Sequence, residues 1–157
     1  MSTPDTQSLE ILLEREEADR DALAITVRQA QDHLSRLQSQ VGLFSEHRAN
    51  YVARWQQQFH QAGGIEIVQC YRSFMQRLDQ AMAQLDLQHR QAELNLQRQR
   101  QRLVEAETRV AAIKKLIGRR LESHQQAQQR REQKQTDEAA QRAAWRARES
   151  QALPALG

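Results

Sequence analysis

A heptad repeat in the first third of the chain constrains the fold more than any other feature. Starting at Leu9 and ending at Trp55, steps of four and three residues alternate without a break. Eleven of the fourteen residues reached in this way are apolar, although hydrophobic residues make up only 39% of the chain. A seam sustained over nearly seven heptads is typical of a coiled-coil helix. A disordered, glutamine-rich chain would not produce this pattern.

A second apolar seam follows the only pair of adjacent glycines, Gly63 and Gly64. Each glycine costs roughly 1 kcal/mol inside a helix, so we predict a break between two helices here. Beyond the break, apolar spacing resumes at Ile67, Tyr71, Phe74, Leu78, Ala81 and Leu85. The rhythm then needs a one-residue shift to His89, after which it continues to Leu121. This shift predicts a stutter, which is a local unwinding of the supercoil.

The two seams end at matching distances from the glycine pair, as a hairpin requires. Residues 5–21 hold seven acidic and two basic side chains, whereas residues 106–122 hold five basic and two acidic ones. Antiparallel pairing would place these oppositely charged strips against each other. We therefore predict an all-α fold, a long two-helix antiparallel coiled coil with a C-terminal helical overhang.

We expect a single elongated coiled-coil domain over residues 1–157. Helix one covers about 4–61, the turn 62–65, helix two about 66–150 and a tail 151–157. Residues 122–150 have no partner inside such a hairpin, and they carry six basic side chains. This segment is either a frayed or disordered tail or a helical overhang that docks into another protein. The sequence leaves both interpretations open. The five Gly and two Pro of the chain are too few for the many turns of a β or α/β fold.

The sequence has no set of residues at the spacing that a catalytic site or a metal site needs. We therefore expect that the protein is not an enzyme and that it binds no cofactor or metal. Gly63 and Gly64 lack the Lys-Ser/Thr that completes a phosphate-binding loop. Cys70 and the five histidines do not fall at metal-ligand spacing. A two-helix rod offers no deep cleft for catalysis. The single Cys, the lack of an apolar run of membrane-spanning length and the lack of a signal-like N-terminus predict a soluble, cytoplasmic protein.

Two motifs resemble those of the flagellar export protein FliJ family. Residues 71–83 read YRSFMQRLDQAMA, and residues 131–146 read REQKQTDEAAQRAAWR. They occur together with the run from Leu9 to Glu16 and with Tyr51, in the order and spacing of that family. The resemblance extends over nearly the whole chain.

The resemblance implies a non-enzymatic component of the flagellar type III protein export apparatus, acting in flagellum biogenesis, motility and chemotaxis. The coil would be similar to the stalk of a rotary ATPase, and it would bind and stimulate the hexameric export ATPase. It would also contact the cytoplasmic domain of the export-gate membrane protein, and some family members bind export chaperones. The implied location is the cytoplasm, with peripheral association with the inner membrane at the export apparatus.

Carried over by position, the resemblance also implies two sets of binding residues. The export-gate set comprises Gln40, Phe44, Tyr51, Phe74, Leu78, Ala81 and Leu85. The ATPase-binding set comprises Glu132, Gln133, Lys134, Asp137, Glu138 and Arg142. Several of the gate residues also fall on the predicted seams, so packing inside the coil is a competing explanation for them.

Two alternative functions remain open from the sequence. The equivalent stalk protein of a virulence-type injectisome shares the architecture and has weaker motifs. A nucleic-acid-binding coiled coil could use the Arg-rich tail, since phosphate contacts come mainly from Arg and Lys. Five acidic residues interspersed between Glu122 and Glu149 weigh against this alternative, so we expect no nucleic-acid partner.

Overall fold

Two α-helices account for nearly all of the residues that the computed structural model describes, which are 4–61 and 64–152. Helix α1 spans Pro4–Gln61 and helix α2 spans Ile65–Ala152. Pro4 suits the first position of α1, where its missing N–H would have no helical partner. At the start of α2, the Gly64 carbonyl accepts hydrogen bonds from the N–H groups of Ile67 and Val68, at 3.1 and 3.3 Å. The predicted all-α helical hairpin is confirmed.

The chain divides into two compact units. The first, here called the hairpin unit, is Glu17–Thr108, and the second, the terminal unit, combines Met1–Glu16 with Arg109–Gly157. In the hairpin unit the two helices run antiparallel. Cross-helix side-chain contacts there join residues whose numbers add up to between 125 and 131. These sums lie close to the value of about 127 that the glycine pair predicts.

The core of the hairpin unit is a single seam of side chains between the helices. Leu37, Leu85 and Ala92 form its buried cluster, and Leu34 and Val41 pack against it. Leu96 and Ala106 continue the buried series along α2. Such a seam is typical of a two-stranded coiled coil, in which the positions between seam residues stay in water.

The register of α2 close to its start differs from the predicted one. The least exposed residues there are Val68, Tyr71, Met75, Leu78, Met82, Leu85 and His89. Their spacing alternates three and four without a shift, so the predicted stutter between Leu85 and His89 is wrong. Phe74 and Ala81 were expected in the seam, but each is exposed and precedes a methionine that lies in it. Methionine is unbranched and flexible, so Met75 and Met82 can adapt to the space between the two helices.

The terminal unit combines a packed stretch with an exposed one. Leu9 and Leu13 of α1 and Ile113 and Ile117 of α2 are half-buried, and Val110 is buried. Arg109 Nε lies 2.9 Å from Glu16 Oε2, which joins the acidic strip of α1 to the basic strip of α2 as predicted. From residue 122 to residue 152, α2 continues as a helix in which every residue is exposed. The segment left open by the sequence is therefore a helical overhang in this structure.

Candidate partner-binding surfaces

An apolar strip, here called the aromatic edge, runs along one side of the seam in the hairpin unit. Its large members are Phe44, Tyr51, Ile67 and Phe74, each with between 36% and 40% of its surface exposed. The Tyr51 and Phe74 rings meet across the two helices, with centroids 4.9 Å apart and an edge-to-face geometry. Partly exposed rings with such a fixed geometry are well suited to bury against a partner.

The gate set divides into surface and core members. Gln40, Phe44, Tyr51, Phe74 and Ala81 are exposed, and the contact between Tyr51 and Phe74 brings residues of both helices together. Leu78 is half-buried, and Leu85 is buried in the cluster with Leu37. A buried leucine offers almost no surface to a partner, so Leu85 contributes by packing the helices that carry the exposed members. A direct role of Leu85 in gate binding stays a prediction.

Three further rings stabilise the hairpin unit beside this edge. The centroids of Trp55, Phe59 and Tyr71 lie 5.2 to 5.7 Å from one another. Trp55 and Tyr71 stand on the seam, and each ring is half-buried. Aromatic pairs at these distances contribute roughly 0.5–1.5 kcal/mol beyond the area that they bury. The cluster therefore holds the two helices together beside the contact between Tyr51 and Phe74.

The opposite side of the seam is polar. Arg48 Nε donates a hydrogen bond to Asp79 Oδ1 at 2.9 Å, and Arg100 contacts the Gln31 side chain at 3.5 Å. The hydrogen bond to Asp79 raises the pKa of Arg48, because it favours the charged guanidinium. Among the described residues of the hairpin unit, the two sides thus differ in chemistry: Arg48 and Asp79 pair on one side, and the rings of Tyr51 and Phe74 meet on the other.

The ATPase-binding set lies on the exposed part of α2 in the terminal unit. All six of its residues, from Glu132 to Arg142, are exposed. Lys134, Glu138 and Arg142 recur every four residues and therefore share one face of the helix. Arg142 Nη2 lies 3.9 Å from Glu138 Oε2, a loose and exposed ion pair. Glu132 and Gln133 point to the other side of the helix, because a helix turns by about 100° per residue.

Trp145 is a candidate binding residue that the sequence interpretation did not select. Its side chain is 63% exposed, and it lies beside Glu138, Gln141, Arg142 and Arg146 around a shallow surface depression. The signal was present in the sequence, because Trp145 is the only large apolar residue between Leu121 and Ala152. An isolated tryptophan does not disturb a heptad pattern, so seam analysis overlooks it.

Neither a metal site nor a membrane span was found in the described part of the chain. Across residues 4–61 and 64–152, no three His, Cys, Asp or Glu side chains are placed to hold a metal ion. Over the same residues, neither helix has a stretch apolar enough and long enough to cross a bilayer. Cys70 is a free, exposed thiol.

Comparison with known protein families gives a match over most of the chain. The family profile described as flagellar FliJ protein matches residues 6–149. The matched range contains the aromatic edge, both sets of predicted binding residues and Trp145. Searches of curated proteins and of solved structures give no match.

Proposed function

This chain belongs to the FliJ family of flagellar type III export components, and from that premise we propose that it binds the export ATPase and the export gate. The observation that carries the proposal is the family match over residues 6–149, which extends through both surfaces described above. In this role the chain is a non-enzymatic stalk. It stimulates the hexameric ATPase and links it to the cytoplasmic domain of the gate protein.

The exposed stretch of α2 supports the ATPase contact. Residues 122–152 form a helix whose every side chain is exposed. Helical stability in proteins comes mostly from packing rather than from propensity, so a helix with no packed face gains from a partner. The test measures ATP hydrolysis by the purified export ATPase with and without the full chain. We expect a faster rate with the chain present, and an unchanged rate together with no detectable complex would overturn this part of the proposal.

The aromatic edge supports the gate contact. Phe44, Tyr51 and Phe74 present partly exposed rings on one side of the hairpin unit. Aromatic residues are enriched in protein interfaces, and a few of them usually supply most of the binding energy. Binding to the gate protein would bring the chain to the inner membrane. Export chaperones complete the set of proposed partners.

Substitution of Phe74 tests the gate contact. We expect Phe74→Ala to weaken binding to the purified cytoplasmic domain of the gate protein about tenfold, because the ring is a central part of the exposed strip. Titration calorimetry of the full chain with that domain measures the change. Far-UV circular dichroism should remain close to that of the unmodified protein, since Phe74 lies outside the buried seam.

Leu87→Ala is the matched control for this experiment. Leu87 belongs to the same helix and the same unit, and its side chain is 56% exposed, but it lies away from the aromatic edge. Its loss should leave gate affinity unchanged. Equal affinities of the Phe74 and Leu87 variants would show that the aromatic edge does not carry gate binding.

The match to a flagellar family favours the flagellar apparatus over the injectisome. The nucleic-acid alternative gains no support from the structure of the tail, where acidic and basic side chains share one helix face, as Glu138 and Arg142 do. An interface for nucleic acid needs a continuous basic face.

A further inference from the structure

The exposed part of α2 carries one large apolar side chain, and that side chain lies in water. Trp145 is 63% exposed, and the other apolar residues between residues 122 and 152 are alanines. An exposed tryptophan buries a large apolar area when a partner covers it. Tryptophan is also among the residues most enriched at interface positions that dominate binding energy.

Helical spacing places Trp145 on the same face as part of the predicted ATPase-binding set. Lys134, Glu138 and Arg142 precede it by eleven, seven and three residues, which are the spacings of one helix face. Glu138 and Arg142 also border the same surface depression as Trp145. Glu132 and Gln133 fall on the other side of the helix. The surface formed by Trp145 together with Lys134, Glu138 and Arg142 is here called the Trp145 face.

The charges around the tryptophan indicate the chemistry of its partner. Residues 142–148 read RAAWRAR, with three arginines. Glu138 is the one acidic residue that borders the depression beside Trp145, so basic side chains outnumber acidic ones there. Arg142 and Arg146 lie directly beside the indole. Arginine pairs most effectively with carboxylates, and charges at the rim of an interface steer its orientation. A complementary surface is therefore an apolar pocket with acidic residues around its rim.

A membrane surface fits these observations less well than a protein pocket. Helices that lie on membranes present a continuous apolar face with several large residues. The exposed part of α2 has a single large apolar residue, and glutamines and acidic side chains occupy much of the rest.

We propose that Trp145 is the anchor of the ATPase contact, and that it inserts into an apolar pocket with an acidic rim on the ATPase. The inference rests on the proposed function, because it takes the export ATPase as the partner. It narrows the contact to the Trp145 face and assigns Glu132 and Gln133 no direct part in it. The six residues predicted from the sequence therefore do not contribute equally.

Alanine substitution in the full chain tests the anchor. We expect Trp145→Ala to weaken binding to the purified export ATPase at least tenfold, and Trp145→Phe to recover part of the affinity because it restores an aromatic ring. The variant Gln129→Ala is the control, because Gln129 is exposed on the opposite side of the helix and lies outside the predicted ATPase-binding set, and it should bind as the unmodified chain does. Circular dichroism should be the same for all of these variants, since every substituted side chain is exposed.

Fluorescence provides a second readout that does not depend on a loss of binding. The chain has two tryptophans, so Trp55→Phe leaves Trp145 as the only indole. Its emission should shift to the blue, and its quenching by acrylamide should fall, when the ATPase is added. Vesicles of phosphatidylcholine with phosphatidylglycerol should leave both signals unchanged.

The outcomes separate this inference from the proposed function. Equal ATPase affinity of the unmodified chain and the Trp145→Ala variant would overturn the anchor and leave the proposed function standing. Absence of ATPase binding by the unmodified chain would overturn the proposed function itself. A blue shift with the vesicles but not with the ATPase would show that the Trp145 face binds membranes instead.

Discussion

Removal of residues 122–157 is expected to abolish stimulation of the export ATPase while leaving the remaining chain folded. Every side chain from residue 122 to residue 152 is exposed, so truncation after Leu121 removes no buried apolar contact from the described structure. Exposed segments of this kind contribute little to the free energy of unfolding. The ATP hydrolysis rate should therefore fall to that of the ATPase alone, and the melting temperature of the chain should change little.

Binding to the gate protein is the internal control for this truncation. The exposed gate residues all lie within Glu17–Thr108, so the truncated chain should bind the purified cytoplasmic domain of the gate with unchanged affinity. If the truncated chain lost both gate binding and ATPase stimulation, together with a cooperative loss of helicity, the removed segment would be part of the fold. Full stimulation by the truncated chain would locate the ATPase contact elsewhere.

Leu96→Ala is expected to produce the largest loss of stability of any substitution considered. Leu96 is only 5% exposed and stands on the seam of the hairpin unit. Buried leucine to alanine substitutions typically cost 2–5 kcal/mol, and we expect about 2–3 kcal/mol here because a seam between two helices closes partly around a cavity. A loss of this size should lower the melting temperature by about 5–10 °C in thermal unfolding followed by circular dichroism.

Leu94→Ala is the matched control, because it makes the same chemical change two residues away. Leu94 is 53% exposed and lies outside the seam. Its free energy of unfolding should stay within about 0.5 kcal/mol of the unmodified protein. If the two variants were equally stable, or if Leu94→Ala were the less stable one, the register of α2 described above would be wrong.

The fold could largely be predicted from spacing, and α1 shows why. Between residues 23 and 37 every seam residue at the predicted four-three rhythm is buried or half-buried, whereas the predicted seam residues Phe44 and Tyr51 farther along α1 are exposed. Between the seam residues stand mostly polar or charged residues, so no competing register offers as many apolar positions. The antiparallel pairing also followed from sequence, because the acidic strip of α1 meets the basic strip of α2 through Glu16 and Arg109.

The start of α2 could not be resolved in the same way. Phe74 stands next to Met75, and Ala81 stands next to Met82, so two registers present an apolar residue at each step. Hydrophobicity alone does not choose between such neighbours. The interpretation that took Phe74 and Ala81 needed a stutter, whereas the register in the structure follows the methionines without one.

The candidate sites were predictable only in part, because hydrophobicity does not show which apolar residues are exposed and which are buried. The gate set came from a family resemblance, and nothing in the spacing separated its surface members from its core members. Phe74 moves to the exposed edge while Leu85 enters the buried cluster. Trp145 could have been found from the sequence by asking which large apolar residue lies outside every seam. Its exposure became evident only with the side chains in place.

The sequence by itself determined that this protein forms two long helices that pair antiparallel, and it left open whether the C-terminal segment is helical. A heptad pattern and complementary charge strips are local properties of the chain, and few other folds satisfy them. Only the tertiary structure decided which of two adjacent apolar residues enters the seam and which remains at its edge. The space between two packed helices admits one side chain at each step, and that choice depends on shape as well as on hydrophobicity. The ring of Phe74 belongs to the aromatic edge, and with it to the proposed gate contact, because Met75 takes the neighbouring position in the seam.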